Sequence, residues 1–326
     1  MMQDKALLEV QDLCTYFPIM QGVIRHKAGE IKAVDHVNLS VRQGETLGLV
    51  GESGCGKSTL GRSILRLIKP TSGRVLFKGE NVTDASDQRM RALRQHMQIV
   101  FQDPYASLNP RMIVGDIIAE PLRIHDAKLP ETELRQRVEQ MLEVVGIESD
   151  AAMRYPHEFS GGQRQRISIA RALILHPEFV FLDEPVSALD VSVRSQVLNL
   201  IRELQKKFGL TYLFISHDLS VVRHISNRVG VMYLGSIVEL APKKKLFENP
   251  LHPYTKALMS AIPVPDPDVQ INRIVLEGDV PSPADPPEGC RFHTRCPEAC
   301  AECGKPGALQ KMIEVEPEHY VLCSLY

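Results

Sequence analysis

Gly51-Glu52-Ser53-Gly54-Cys55-Gly56-Lys57-Ser58 carries the full G-x-x-x-x-G-K-[ST] pattern. That spacing serves phosphate binding. Glycines let successive backbone N–H groups turn inward around phosphate oxygens, and a helix starting there adds partial positive charge. Lys57 can reach β- and γ-phosphates, the Ser58 hydroxyl can ligate Mg²⁺, and Thr59 stands next in line for an α-phosphate. Cys55, inside the loop, reads as a small filler. A second candidate is Val180-Phe181-Leu182-Asp183-Glu184, an apolar run ending in two carboxylates. Asp183 suits Mg²⁺, directly or through water, and Glu184 suits a general base that polarises a water molecule. A third is Ser160-Gly161-Gly162-Gln163, where two glycines open the amphipathic stretch 164–175 and make another anion-binding nest.

Cysteines form the fourth group. Cys14 is isolated, whereas Cys290-x5-Cys296-x3-Cys300-x2-Cys303-x19-Cys323 crowds the end of the chain. In a reducing compartment such a cluster reads as metal binding before disulfides. Thiolates hold iron–sulfur clusters in fours, and tetrahedral zinc also takes four. Cys300-x2-Cys303 would serve as half of a zinc site.

Elements must position these groups. Residues 6–13 and 31–42 alternate apolar and polar side chains and read as strands, with a turn at Gly44-Glu45. Thr46–Val50 is a short apolar strand feeding the glycine-rich loop. Leu60, Ile64, Leu65 and Ile68 then recur at helical spacing until Lys69-Pro70. Residues 73–79 read as a strand. From Asp103 to Leu175 the signals are helical, with Leu134, Val138, Met141, Leu142 and Val145 on one face and Gly146 as a stop. Strands at 180–182 and 213–215 flank a helix over 191–207. Strands alternating with helices predict a mainly parallel sheet covered on both faces. Residues 263–289 are proline-rich and read as an irregular linker.

Of the 326 residues, 38 are Lys or Arg and 40 are Asp or Glu, a net charge of -2 that excludes a generally basic nucleic-acid binder. Hydrophobic residues at 44% supply a real core. No run approaches the roughly 18 apolar residues of a membrane helix, and the N-terminal residues do not read as a signal peptide. A cytosolic chain is expected, reaching a membrane only through partners.

Taken together, the glycine-rich loop, the acidic strand end and "SGGQ" followed by "RQR" resemble the ATP-binding-cassette (ABC) ATPases. That resemblance implies ATP and Mg²⁺ as ligands and an α/β P-loop NTPase (RecA-like) core with an antiparallel β subdomain. An inserted helical subdomain would carry the signature. It implies a core over 1–102 and 176–240, a helical part over 103–175 and an extension over 241–326. Gln102 looks like the glutamine that links Mg²⁺ and the attacking water to the membrane-facing part. Ser187-Ala188-Leu189-Asp190 looks like the loop that meets the opposite ATPase, and Asp190 joins the nucleotide-site set. His217 looks like the switch histidine at the γ-phosphate. Phe17, or its neighbour Tyr16, looks like the aromatic that stacks on adenine.

Phe101–Arg111 ("FQDPYASLNPR") and Leu251–Leu258 ("LHPYTKAL") resemble segments of bacterial oligopeptide, dipeptide and nickel importer ATPases. The resemblance then implies Cys290, Cys296, Cys303 and Cys323 as ligands of a [4Fe-4S] cluster, with Zn²⁺ the alternative and Cys300 spare. Implied partners are a second homologous ATPase, two transmembrane permease subunits and, indirectly, an extracytoplasmic peptide-binding protein. No nucleic acid is implied. The expected place is the cytoplasmic face of the cell membrane. Nickel or another small solute remains an alternative cargo. A soluble non-transport cassette protein and a phosphotransferase are the rival functions.

Overall fold

The computed structural model describes residues 6–22, 26–262, 273–307 and 311–326. The chain divides into two compact units, one built from residues 42–45 and 84–214, the other from 6–41, 46–83 and 215–326.

In the first unit, strands Met97–Val100 and Phe179–Asp183 pair in parallel, from Met97 opposite Phe179 to Val100 opposite Leu182. Thr211–Ile215 lies beside the second of them. Every residue of Phe179–Asp183 and of Thr211–Ile215 is buried. Both faces are therefore covered, which is why these strands read as unbroken apolar runs. The helices Val114–His125, Glu131–Val144 and Gly161–Leu173 pack on one another. Glu131–Val144 buries Leu134, Val138, Met141 and Leu142, one stripe at helical spacing. Val191–Phe208 ends at Gly209 in the left-handed conformation.

In the second unit a four-stranded sheet runs in the order His26–Arg42, Ala6–Gln21, Ser72–Phe77, Glu80–Asn81. Its strands Ala6–Gln21 and Ser72–Phe77 are antiparallel, with Leu8 opposite Phe77 and Val10 opposite Val75. Strand Thr46–Val50 pairs in parallel with Arg228–Tyr233, Leu47 opposite Arg228. Beyond it, Ser236–Pro242, His319–Val321 and Ile313–Glu316 follow in antiparallel order.

The parallel pairs expected where strands alternate with helices are present, and three details differ. Antiparallel strands extend the parallel ones. After Arg228–Tyr233 the chain reverses through Leu234 and Gly235, both at positive φ, which is the two-residue hairpin geometry. The end of the chain then adds two more antiparallel strands to that hairpin. The first two strands run further than their alternation suggested, to Gln21 and from His26. The helix after the loop is Lys57–Ile64 and stops short of Ile68, because Arg66 turns to a positive φ of 51°. Residues 273–289 carry no helix or strand, and 263–272 of the expected linker lie outside the described residues.

Candidate functional site

The phosphate loop belongs to the second unit. It leaves the buried strand Thr46–Val50 and enters helix Lys57–Ile64, whose N-cap is Gly56. Gly56 has φ +106°, and a Cβ there would stand 2.0 Å from the Ala33 carbonyl oxygen. Only glycine meets both constraints. Lys57 is buried, and its ammonium donates to the carbonyls of Gly51 (2.8 Å) and Glu52 (2.9 Å). Its charge is thereby held at the loop. The Cys55 thiol lies 3.5 Å from that ammonium. Burial pushes the thiol's pKa up against the pull of Lys57, which keeps the filler neutral. Ser53 and Gly54 are exposed, and Ser58 and Thr59 are half-buried on the first helical turn.

His217 follows strand Thr211–Ile215 and is exposed. Asp218 caps the helix Leu219–Ile225 by accepting from Ser220 N–H at 2.9 Å. In the first strand, Phe17 is exposed and Tyr16 is half-buried. The Tyr16 hydroxyl donates to Asp35, and burial pushes its pKa up. Tyr16 is therefore engaged through its hydroxyl, while Phe17 offers an exposed ring.

The acidic strand end and the glycine nest belong to the first unit. Asp183 is fully buried at the end of its strand, and Glu184 takes φ +46°. That backbone is strained for a residue with a Cβ. The parallel register places Val100 opposite Leu182, so residues two further along emerge together. Gln102 Nε2 accordingly donates to Glu184 Oε2 at 3.2 Å, uniting two residues far apart in sequence. Ser187 Oγ donates to the Glu184 carbonyl at 3.1 Å, which shapes the turn that leads to the exposed Asp190.

Ser160 caps helix Gly161–Leu173. Its hydroxyl accepts from Gln163 N–H (3.3 Å), and Gln163 Oε1 accepts from Ser160 N–H (2.9 Å). A Cβ on Gly162 would stand 2.3 Å from Val193 Cγ1, so the helix start presses on the Val191–Phe208 helix. Gly161 stays exposed. Arg164 entered the sequence reading only as the first residue of "RQR". It is buried, donates to the carbonyls of Pro156 (2.7 Å) and His157 (3.2 Å), and lies 3.6 Å from the ring centroid of the exposed Tyr105. Arg171, two helical turns further on the same face, donates to the Ser107 carbonyl. The "FQDPYASLNP" segment is thus tied to the glycine-led helix by two arginines.

The cysteine-bearing tail is part of the second unit. Cys290 N–H donates to the Cys303 carbonyl at 2.7 Å. The thiols of Cys303, Cys323 and Cys296 act on that of Cys290, whose pKa rises to about 11 chiefly through burial. The four expected ligands are therefore neighbours. Cys300 is exposed, with its sulfur 3.3 Å from that of Cys303, where the hydrogen bond lowers its pKa. Tetrahedral zinc with Zn–S near 2.3 Å needs sulfurs about 3.8 Å apart on every side. Among the described residues, no three of these sulfurs meet within 4.8 Å.

A group the sequence reading missed is Cys14, Asp35 and His36, whose ligand atoms do lie within 4.8 Å of one another. The Asp35 carboxylate already accepts from Arg291 and from Tyr16, and the Cys14 sulfur accepts from His36 N–H. Beside the Arg291 guanidinium, a cation there would be repelled, so the trio reads as a hydrogen-bonded knot. Its parts lie on two consecutive, neighbouring strands of one sheet, and no motif announces it.

A lysine-bearing phosphate loop and a strand end with two carboxylates, Glu184 among them held by Gln102, point to an ATP-hydrolysing P-loop enzyme, and comparison with known proteins gives the same class. Residues 34–187 match the family model described as ABC transporter, and residues 238–303 match that of the oligopeptide/dipeptide transporter C-terminal region. A dimeric ATP-binding cassette solved in a post-hydrolysis state, with its own ADP and Pi, superposes with TM-score 0.64 at 27% identity. That match covers 72% of this chain and 98% of that one. A cassette from Clostridium perfringens, cbiO1, gives 0.64 at 32%, covering 76% and 92%. The α/β P-loop architecture expected from the motifs is therefore the observed one, and the chain is an ATPase. The oligopeptide transport ATP-binding protein AppF of Bacillus subtilis is 55% identical, covering 99% of this chain and 98% of its own length. OppF of Escherichia coli is 52% identical over 98% and 96%. The chain belongs to this family of oligopeptide-transport ATP-binding proteins of ABC transporters.

Proposed function

We propose that this ATPase drives uptake of di- and oligopeptides through partner permease subunits at the cytoplasmic face of the membrane. One observation carries the reading: the match to oligopeptide-transport ATPases runs the whole length of the chain, through the tail as well as the cassette. The described residues contain no helix long and apolar enough to cross a membrane, which agrees with a peripheral subunit.

In this reading the loop Gly51–Thr59 holds the triphosphate, with Lys57 on its β- and γ-oxygens. Phe17 stacks on adenine, with its neighbour Tyr16 the other candidate. Mg²⁺, held by Ser58, Asp183 and Gln102, would neutralise developing phosphate charge. Glu184 takes a proton from the attacking water, and Gln102, already on its carboxylate, orients both. His217 contacts the γ-phosphate. The exposed Gly161 and its capped helix, with Ser160, Gly162, Gln163 and Asp190, face the nucleotide of a second ATPase subunit. Closure of the pair on ATP and reopening after hydrolysis convert γ-phosphate binding into a population shift that the permeases read. The segment 101–111 is the permease contact, and the Arg164 and Arg171 ties carry its position to the glycine-led helix. The four cysteines Cys290, Cys296, Cys303 and Cys323 hold a structural [4Fe-4S] cluster.

The test is reconstitution. The chain, with its partner ATPase and permeases in lipid vesicles, should hydrolyse ATP faster when peptide-loaded binding protein is added. Stimulation by a nickel-loaded binding protein, with none by peptide, would reassign the cargo. Failure to co-purify with any membrane subunit would favour the soluble reading.

A further inference from the structure

The tail reaches the phosphate loop. Glu52, second residue of that loop, meets the Arg295 guanidinium at 3.1 Å from Nη1 to Oε2 and 3.4 Å to Oε1, with Nη2 3.5 Å from Oε1. The Arg295 side chain is 9% exposed and that of Glu52 29%. Arg295 Nη1 is also 3.5 Å from the Tyr233 hydroxyl. The Glu52 N–H donates to the Tyr254 hydroxyl at 3.0 Å. Tyr254, Tyr233 and Phe292 pack ring on ring, 4.7 to 5.3 Å between centroids, and so fix both anchors. A parallel tie runs from Arg291 to the Leu234 carbonyl, while the next residue, Gly235, donates to the Cys55 carbonyl at 2.9 Å.

Glu52 brings a negative charge into a loop whose ligand is polyanionic. Its backbone carbonyl accepts from Lys57, so the backbone from which the carboxylate projects is fixed within the loop. Unpaired, it would oppose ATP through like-charge repulsion. We propose that Arg295, from the C-terminal extension, is a positioning residue for nucleotide binding: it neutralises and pins Glu52 so that the loop faces ATP with net positive charge. This rests on the ATP-site reading of Gly51–Thr59 and goes beyond it by giving the tail a part in nucleotide affinity.

The experiment is binding of a fluorescent ATP analogue to the full-length chain, by anisotropy, at low and moderate salt. Arg295→Gln should weaken binding about fivefold to tenfold, most at low salt, because the freed charge is partly screened. Arg295→Lys should stay within about twofold of wild type, since the charge is kept. The double variant Glu52→Gln/Arg295→Gln should recover to within about twofold, because the repelling charge is gone. A purely architectural role predicts the opposite: removing both partners would bind no better than removing Arg295. Glu52→Gln alone, which leaves the tail intact, should bind as well as wild type or better, and decides the matter if Arg295→Gln fails to fold. The proposal is overturned if Arg295→Gln binds like wild type, if the double variant is no better, or if Glu52→Gln alone weakens binding tenfold. A wild-type chain that binds no analogue would instead overturn the ATP-site reading.

Discussion

Acid should loosen the tail through one histidine. His252 opens helix Pro253–Ser260, accepting from Tyr254 N–H at 3.1 Å through Nδ1. It is 1% exposed and packs 5.6 Å from the Phe292 ring. Burial lowers its pKa from 6.5 to about 4, against the opposing pull of Glu239, with Lys256 pushing the same way as burial and Glu298 pulling back. Between those two values the unfolded chain binds more protons than the folded one, so stability falls as pH drops through 6.5 and the loss levels off below 4. At pH 5 the unfolded-state histidine is favoured by a factor of about thirty, or about 2 kcal/mol. The substitution is His252→Asn, whose amide oxygen can still cap the helix but does not titrate. Urea unfolding at pH 7 and pH 5 should show wild type losing about 2 kcal/mol more than His252→Asn across that interval. Other titrating groups are common to both proteins and cancel in the comparison. Equal pH dependence would refute the assignment of a neutral, buried His252.

Three further outcomes are expected. Glu184→Gln should keep nucleotide affinity and lower turnover by at least about a hundredfold in a phosphate-release assay, the scale of a lost general base. Gly56→Ala should abolish detectable ATP binding while the chain still folds, because the added Cβ meets a backbone oxygen that cannot move aside. Protein purified without oxygen should be brown and contain iron, and replacing Cys290, Cys296, Cys303 or Cys323 by Ser should bleach it. Colourless protein with stoichiometric zinc would overturn the cluster.

The sequence alone announced the phosphate loop, the acidic strand end and the glycine-led helix, because each is a contiguous run whose local backbone does the chemistry. Buried strands such as Phe179–Asp183 and Thr211–Ile215 were legible for the same reason: burial on both faces leaves an unbroken apolar run. Pairings between distant segments were not legible. Gln102 meets Glu184 only because two parallel strands share a register, and Arg164 lies under Tyr105 only because the helical segments pack. The turn at Leu234-Gly235 added antiparallel strands to the parallel ones that alternating strands and helices suggested. The tail looked like a proline-rich appendage held by cysteines. Tertiary structure also laid Arg295 on the phosphate loop, since an ion pair between Glu52 and Arg295 leaves no periodic trace in a sequence. Local chemistry is written in neighbouring residues, whereas charge neutralisation and side-chain alignment depend on which surfaces come together when the chain closes.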